Sequence, residues 1–114
     1  MTSRVLAVRN GTLGDLKLWF GQAAAVASVA TFYPTDDGTA TGIPLFSMIY
    51  HVLATAQNNA ADAVTLPLAA LKSISADRTT VKIGAVVGMT LLALGATLTA
   101  APDGTPVHCI ILGV

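Results

Sequence analysis

Charged side chains are scarce in this chain, and glutamate is missing altogether. Of the 114 residues, 11% are charged and 54% are hydrophobic, whereas a typical soluble domain is about 25% charged. The six basic and six acidic residues give a formal net charge of zero. Because nucleic-acid binding needs a basic patch and these basic residues are dispersed, the composition argues against a nucleic-acid partner. A surface this poor in charge must expose apolar groups, which usually marks contact with other molecules.

Cysteine and histidine are also scarce, which limits the chemistry that the chain can perform. The single cysteine, Cys109, cannot form an internal disulfide or a zinc site. The two histidines are His51 and His108, and His108 precedes Cys109 in a predicted strand, where neighbouring side chains point to opposite faces. That arrangement does not suit a nucleophile–base pair. The segment Asp36-Asp37-Gly38-Thr39 lacks the spaced ligands and the bidentate glutamate of a calcium loop, and therefore predicts a solvated turn. We expect no enzyme activity, no bound metal, no cofactor and no small-molecule substrate.

The absence of glutamate also bears on the fold. All six acidic residues are aspartates, a residue that prefers turns and caps to helix interiors. Ten glycines and fourteen threonines favour strands joined by short turns. A chain of 114 residues suffices for one domain. The sequence therefore predicts a single all-β domain over residues 1–114, a jelly-roll-like β-sandwich.

Turn residues divide the chain into about eight candidate strands. A tight turn is predicted at Asn10-Gly11. Segment 45–56 fits a period of 3.6 residues about as well as a period of 2.0, so helix and strand both remain open there. The predicted strands are residues 4–9, 16–20, 25–33, 43–56, 63–68, 79–87, 91–100 and 107–112.

One segment supports a different class of protein. Residues 83–101 form a stretch of nineteen residues without a charge, close to the length that spans a bilayer as a helix. The alternative is therefore a small integral membrane protein. The stretch contains Gly84, Gly88 and Gly95, and it has no aromatic belt and no basic cluster at its C-terminal end. These features favour strands and turns, and we expect no membrane partner.

Six apolar residues are candidates for a protein–protein interface. Trp19 and Phe20 are adjacent, as are Phe32 and Tyr33, so in a strand one member of each pair faces the core and the other faces outward. Ordinary core packing accounts for such pairs, but an aromatic side chain can also anchor a subunit contact. The uncharged segment 109–114 is expected to be paired or covered. The candidate interface residues are Trp19, Phe20, Phe32, Tyr33, Ile111 and Val114.

Three segments carry a family resemblance: SISADRTTVKI at 73–83, GATLTAAPDGTPVHCIILG at 95–113 and FYPTDDGTATG at 32–42. They resemble the strand–turn–strand endings of small bacteriophage structural proteins, and the class they are most similar to is the capsid cement or decoration proteins of tailed phages. The resemblance implies a non-enzymatic subunit on the outer capsid surface of the virion, bound to the major capsid protein and to copies of itself. A tail or neck subunit would share the same features. Because no motif is diagnostic, no functional residue is transferred.

Overall fold

Strands account for all the regular structure in the part of the chain that is described. The structure is a computed structural model, and it describes residues 6–9, 16–57, 65–92, 95–101 and 103–114, among which no helix occurs. The all-β prediction is confirmed for these residues. The predicted turn at Asn10-Gly11 lies outside them. The strands are β1 (Leu6–Arg9), β2 (Lys17–Ala24), β3 (Ala30–Phe32), β4 (Ile49–Ala56), β5 (Thr65–Ile74), β6 (Val81–Leu92), β7 (Gly95–Ala100) and β8 (Pro106–Gly113).

The strands form two antiparallel sheets. The first sheet has the order β1-β2-β8-β4. The second sheet has the order β3-β6-β5, and β7 also pairs with β6. Every strand pair is antiparallel. Strand β8 pairs along its whole length with β2 and also pairs with β4, so residues 109–113 of the uncharged segment 109–114 lie between two strands, and the segment is paired as predicted.

Burial alternates along the central strands of the first sheet. On β8, Val107, Cys109 and Ile111 are buried, whereas the residues between them are exposed or half-buried. On β2, Trp19 and Ala23 are buried, and Trp19 lies opposite Ile111 in the register. This alternation arises because successive strand side chains point to opposite faces of a sheet. The first sheet therefore has one inner face and one outer face.

The core lies between the inner faces of the two sheets. Trp19 of the first sheet and Phe32 of the second meet edge to face, with ring centroids 5.9 Å apart and ring planes at 86°. Val81 and Ile83 of β6 are fully buried in the same cluster. Burying one such side chain stabilises the fold by about 1.5–3 kcal/mol. Gly21 lies beneath the indole ring, where a Cβ atom would overlap the ring.

Two predicted strands, 25–33 and 43–56, are strand over only part of their length. In segment 25–33 only β3 is a full strand, because Ala27 and Ser28 adopt positive φ angles of 51° and 63° and turn the chain between Val26 and Val29. In segment 43–56 the strand begins only at Ile49. Of the helix and strand alternatives for 45–56, strand is therefore observed over Ile49–Ala56, and residues 45–48 have no regular structure.

The alternative membrane span does not form a helix in the described residues. Residues 83–92 belong to β6 and residues 95–100 to β7. Across the described part of the chain, no helix has the length and apolar character needed to cross a membrane.

Candidate functional site

The structure separates the two members of each adjacent aromatic pair. Trp19 and Phe32 have no exposed surface, whereas their neighbours Phe20 and Tyr33 are half-buried. Ile111 is also completely buried. A side chain without exposed surface cannot contact a partner, so Trp19, Phe32 and Ile111 are removed from the candidate interface. Their role is to hold the two sheets together.

Val114 is half-buried and is tied to the segment that precedes β4. Its carbonyl oxygen accepts hydrogen bonds from the backbone N–H groups of Ser47 (2.6 Å) and Met48 (3.1 Å), and from the Ser47 hydroxyl (2.9 Å). Its own N–H donates to the Met48 carbonyl (2.9 Å). These bonds extend the β8–β4 pairing beyond the strands. Of the six predicted interface residues, Phe20, Tyr33 and Val114 retain exposed surface, and their interface role stays a prediction.

The outer face of the first sheet carries a continuous group of apolar side chains. Residues Phe20 of β2, Ile110 of β8 and Leu53 of β4 lie side by side in the register, and all three belong to the face opposite the core. Leu18 lies opposite Leu112 in the adjacent row. We call these five residues the apolar patch. None is fully buried, and Leu53 is 49% exposed.

Polar side chains border one end of the apolar patch. Gln22, His108 and Thr55 form the next row across the sheet. A ring nitrogen of His108, Nε2, lies 3.2 Å from Oε1 of Gln57. The outer face thus has an apolar centre and a polar margin, which is the anatomy of many protein–protein contact surfaces.

Further exposed apolar side chains lie on β4 and β5. Tyr50 is 59% exposed, and β5 adds Leu68, Leu71 and Ile74. Tyr50 was missed in the sequence because the ambiguous period of segment 45–56 hides which of its side chains face outward, and Leu71 and Ile74 were missed because the predicted strand ended at residue 68. An alternating pattern read from Val52 onward would have identified Leu53.

Two aspartates organise turns rather than a reactive centre. Asp37 Oδ1 accepts three hydrogen bonds: from the Thr39 hydroxyl (2.8 Å), the Thr39 N–H (3.0 Å) and the Thr35 hydroxyl (3.3 Å). Asp77 accepts the same three kinds of bond from the residues two positions before and after it. The Thr39 hydroxyl is the main cause that lowers the pKa of Asp37, and the Ser75 hydroxyl is the main cause that lowers the pKa of Asp77. These bonds stabilise the charged carboxylates in their turns.

Cys109 and His108 point away from each other, as predicted from their adjacent positions in a strand. Cys109 is buried and His108 is exposed. Burial raises the pKa of the Cys109 thiol to about 12, so the thiolate needed for nucleophilic attack is not formed near neutral pH. Within the described ranges, no group of three or more histidine, cysteine or acidic side chains is placed to hold a metal ion.

Comparisons with known proteins add no relative. No protein family, curated protein or solved structure matches this chain.

Proposed function

We propose that the chain is a non-enzymatic structural subunit of a virus particle, a capsid cement or decoration protein that binds the major capsid protein and copies of itself. The observation that supports this proposal is the apolar patch on the outer face of the first sheet. A contiguous group of apolar side chains on a protein surface commonly marks a contact with another protein. The low charge and zero net charge of the chain suit a protein held in an assembly.

The strand order supports a jelly-roll-like sandwich as the finer description of the fold. Consecutive strands β2, β3, β4 and β5 alternate between the first and second sheets. Later strands are then inserted between them: β6 lies between β3 and β5, and β8 lies between β2 and β4. This interleaving is characteristic of Greek-key and jelly-roll folds, which are common among viral capsid domains.

The contact mode follows from the chemistry of the patch. Apolar contacts gain their free energy from removing surface from water, and ions do not screen them. Binding to the outer surface of a capsid through the patch should therefore survive raised salt. A tail or neck subunit would bind by the same chemistry, and the location in the virion distinguishes the two roles.

The test is to strip the protein from purified particles, add it back across a salt series and measure co-sedimentation. We expect binding that persists at high salt. The variant Phe20→Gln, in the patch, should weaken binding, whereas Leu71→Gln, at an exposed position on the second sheet, should not. The proposal is wrong if the protein binds no particle, or binds only at low salt. Equal binding by the two variants would exclude the patch as the contact.

A further inference from the structure

Both histidines of the chain lie on the outer face of the first sheet, at two margins of the apolar patch. His51 of β4 lies opposite Leu112 of β8, so it continues the row that Leu18 and Leu112 form. His108 of β8 lies two residues before Ile110 and therefore on the same face as that residue. Both histidines are exposed, and the chain contains no third.

The rest of this face carries no charge across its three central rows. Histidine is the side chain that gains a proton between about pH 8 and pH 5. The charge on these rows therefore rises from zero to plus two over that range, and the two histidines are its cause. The rows are Leu18–Leu112–His51, Phe20–Ile110–Leu53 and Gln22–His108–Thr55.

No carboxylate of the surrounding strands is available to compensate that charge. The described strands of the first sheet contain no acidic residue, and neither does β5, which follows β4 in the chain. The neighbours of His108 in the register are the uncharged residues Gln22 and Thr55. Its Nε2 atom lies 3.2 Å from Oε1 of Gln57, which is also uncharged.

The charged residues of these strands are all basic. Arg9 of β1 lies opposite Lys17 of β2, and Lys17 donates a hydrogen bond from Nζ to the Leu45 carbonyl (2.9 Å). The side chain of Lys72 of β5 lies against Gly84 of β6. A proton gained by His51 or His108 therefore adds to positive charge and is not neutralised by these strands.

A partner that covers the apolar patch also covers parts of the two imidazoles. Positions in adjacent rows of one face lie about 7 Å apart along a strand, and neighbouring strands lie about 5 Å apart. Removing a neutral imidazole from water costs little where a hydrogen bond persists, whereas removing a cation without a compensating partner costs much more. Protonation therefore opposes the covering of this face.

We propose that the outer face of the first sheet is a pH-sensitive contact surface, which holds an apolar partner while His51 and His108 are neutral and releases it when they are protonated. The inference rests on the proposed function for the identity of the partner, the capsid surface, and adds the regulation of that contact.

The first experiment measures co-sedimentation with stripped particles at pH 7.5 and pH 5.5. Binding of the wild type should be at least about tenfold weaker at pH 5.5, because two charges are then removed from water on binding. The variant H51Q/H108Q should bind equally at both pH values, and it also controls for any effect of pH on the particle.

A matched variant tests whether the position of the histidines matters. In H51Q/H108Q/A40H/A76H, two histidines stand instead at exposed positions in a loop and a turn, so the number of titrating groups is unchanged. This variant should also bind equally at both pH values. The proposal is overturned if wild-type binding does not weaken at pH 5.5, or if the relocated histidines restore the loss. Circular dichroism at both pH values establishes that each variant is folded.

A second readout separates this proposal from the proposed function. Phenyl-coated beads present an uncharged apolar surface to the isolated chain, and the same three proteins are compared on them. If no particle binding occurs at either pH, the proposed function is wrong, and the beads decide the pH dependence. Weaker retention of the wild type alone at pH 5.5 supports the proposal, whereas equal pH dependence of all three proteins refutes it.

Discussion

Replacing Gly21 with alanine adds one methyl group at the most crowded point of the core. A Cβ atom at this position would overlap Cη2 and Cζ3 of the Trp19 indole and would lie 3.0 Å from Cδ1 of Phe32. The indole cannot move aside freely, because Trp19 and Phe32 are both fully buried and pack edge to face. We therefore expect Gly21→Ala to displace the indole and disturb the contact between the sheets.

Three effects determine the size of the change in the free energy of unfolding. Overpacking a core costs about 1–3 kcal/mol. Weakening an aromatic pair costs up to about 0.5–1.5 kcal/mol. Alanine gains about 0.5–1 kcal/mol over glycine in a strand interior, since glycine loses more backbone entropy on folding. The steric effects outweigh the entropic gain, and the net destabilisation is about 1–3 kcal/mol.

Urea denaturation followed by tryptophan fluorescence measures this effect at the site itself, because Trp19 is the only tryptophan in the chain. With a slope of about 1–3 kcal/mol per molar urea for a small protein, the midpoint should fall by about 1 M. Near-UV circular dichroism should also change, because the asymmetric packing of the indole is disturbed.

A double-mutant cycle provides the control. Trp19→Phe removes Cη2 and Cζ3, the atoms that the new methyl group would meet. It also removes a buried indole N–H that has no hydrogen-bond partner among the described residues. In the Trp19→Phe background, Gly21→Ala should cost at least about 1 kcal/mol less than in the wild type. If Gly21→Ala leaves the midpoint unchanged, or if its cost is the same in both backgrounds, the steric argument is refuted.

Three other regions give separate predictions. Ala27 and Ser28 form a turn in which both residues have positive φ, a conformation that is strained for these residues and that Asn-Gly adopts readily. The double substitution to Asn-Gly should therefore raise the free energy of unfolding by about 1 kcal/mol, measured as a higher urea midpoint. An unchanged midpoint would contradict this. Because the pKa values of Asp37 and Asp77 are lowered in the fold, their contribution is present above the ordinary aspartate pKa of 3.8 and is lost as the pH falls through the lowered values. The D37N/D77N variant should therefore lose less stability between neutral and acid pH than the wild type, and equal losses would contradict this. Cys109 should react with a thiol reagent at pH 8 only in denaturant, and rapid labelling of the native protein would show that the site opens.

The strand content of the fold could be predicted from the sequence, but several strand boundaries could not. The Asp103-Gly104 turn signal and the apolar run that follows it mark the last strand in the sequence, and β8 matches the prediction within one residue at each end. The turn at Ala27 and Ser28 carries no glycine, asparagine or proline, so nothing in the sequence marks it. Leu45 and Phe46 were predicted to lie in a long strand, 43–56, because that segment is apolar. In the structure, Phe46 lies in a segment without regular structure and packs into the core, where it is 2% exposed. Its apolar side chain therefore reflects burial and not strand formation.

The candidate site was less predictable than the fold, for a topological reason. The apolar patch combines β2, β8 and β4, whose register is set by contacts between residues far apart in sequence. Phe20 was identified because it is adjacent to Trp19, and one of two neighbouring strand residues must face outward. The sequence could not predict that Leu53 and Ile110 lie beside Phe20, because strand order and register do not follow from alternation within a single strand.

The interleaved strand order also has a consequence for synthesis of the chain. Strand β8 lies between β2 and β4 in the first sheet, and β6 lies between β3 and β5 in the second. Each of these central strands comes later in the sequence than both of its neighbours. A nascent chain emerges from the ribosome with its N-terminus first. Strands β2 and β4 therefore have no central strand to pair with until residues 106–113 have emerged. Folds dominated by such distant pairings form in about milliseconds to seconds. During that wait, the apolar segments of the first half are open to chaperones and to neighbouring nascent chains, and the first sheet can close only after translation of β8.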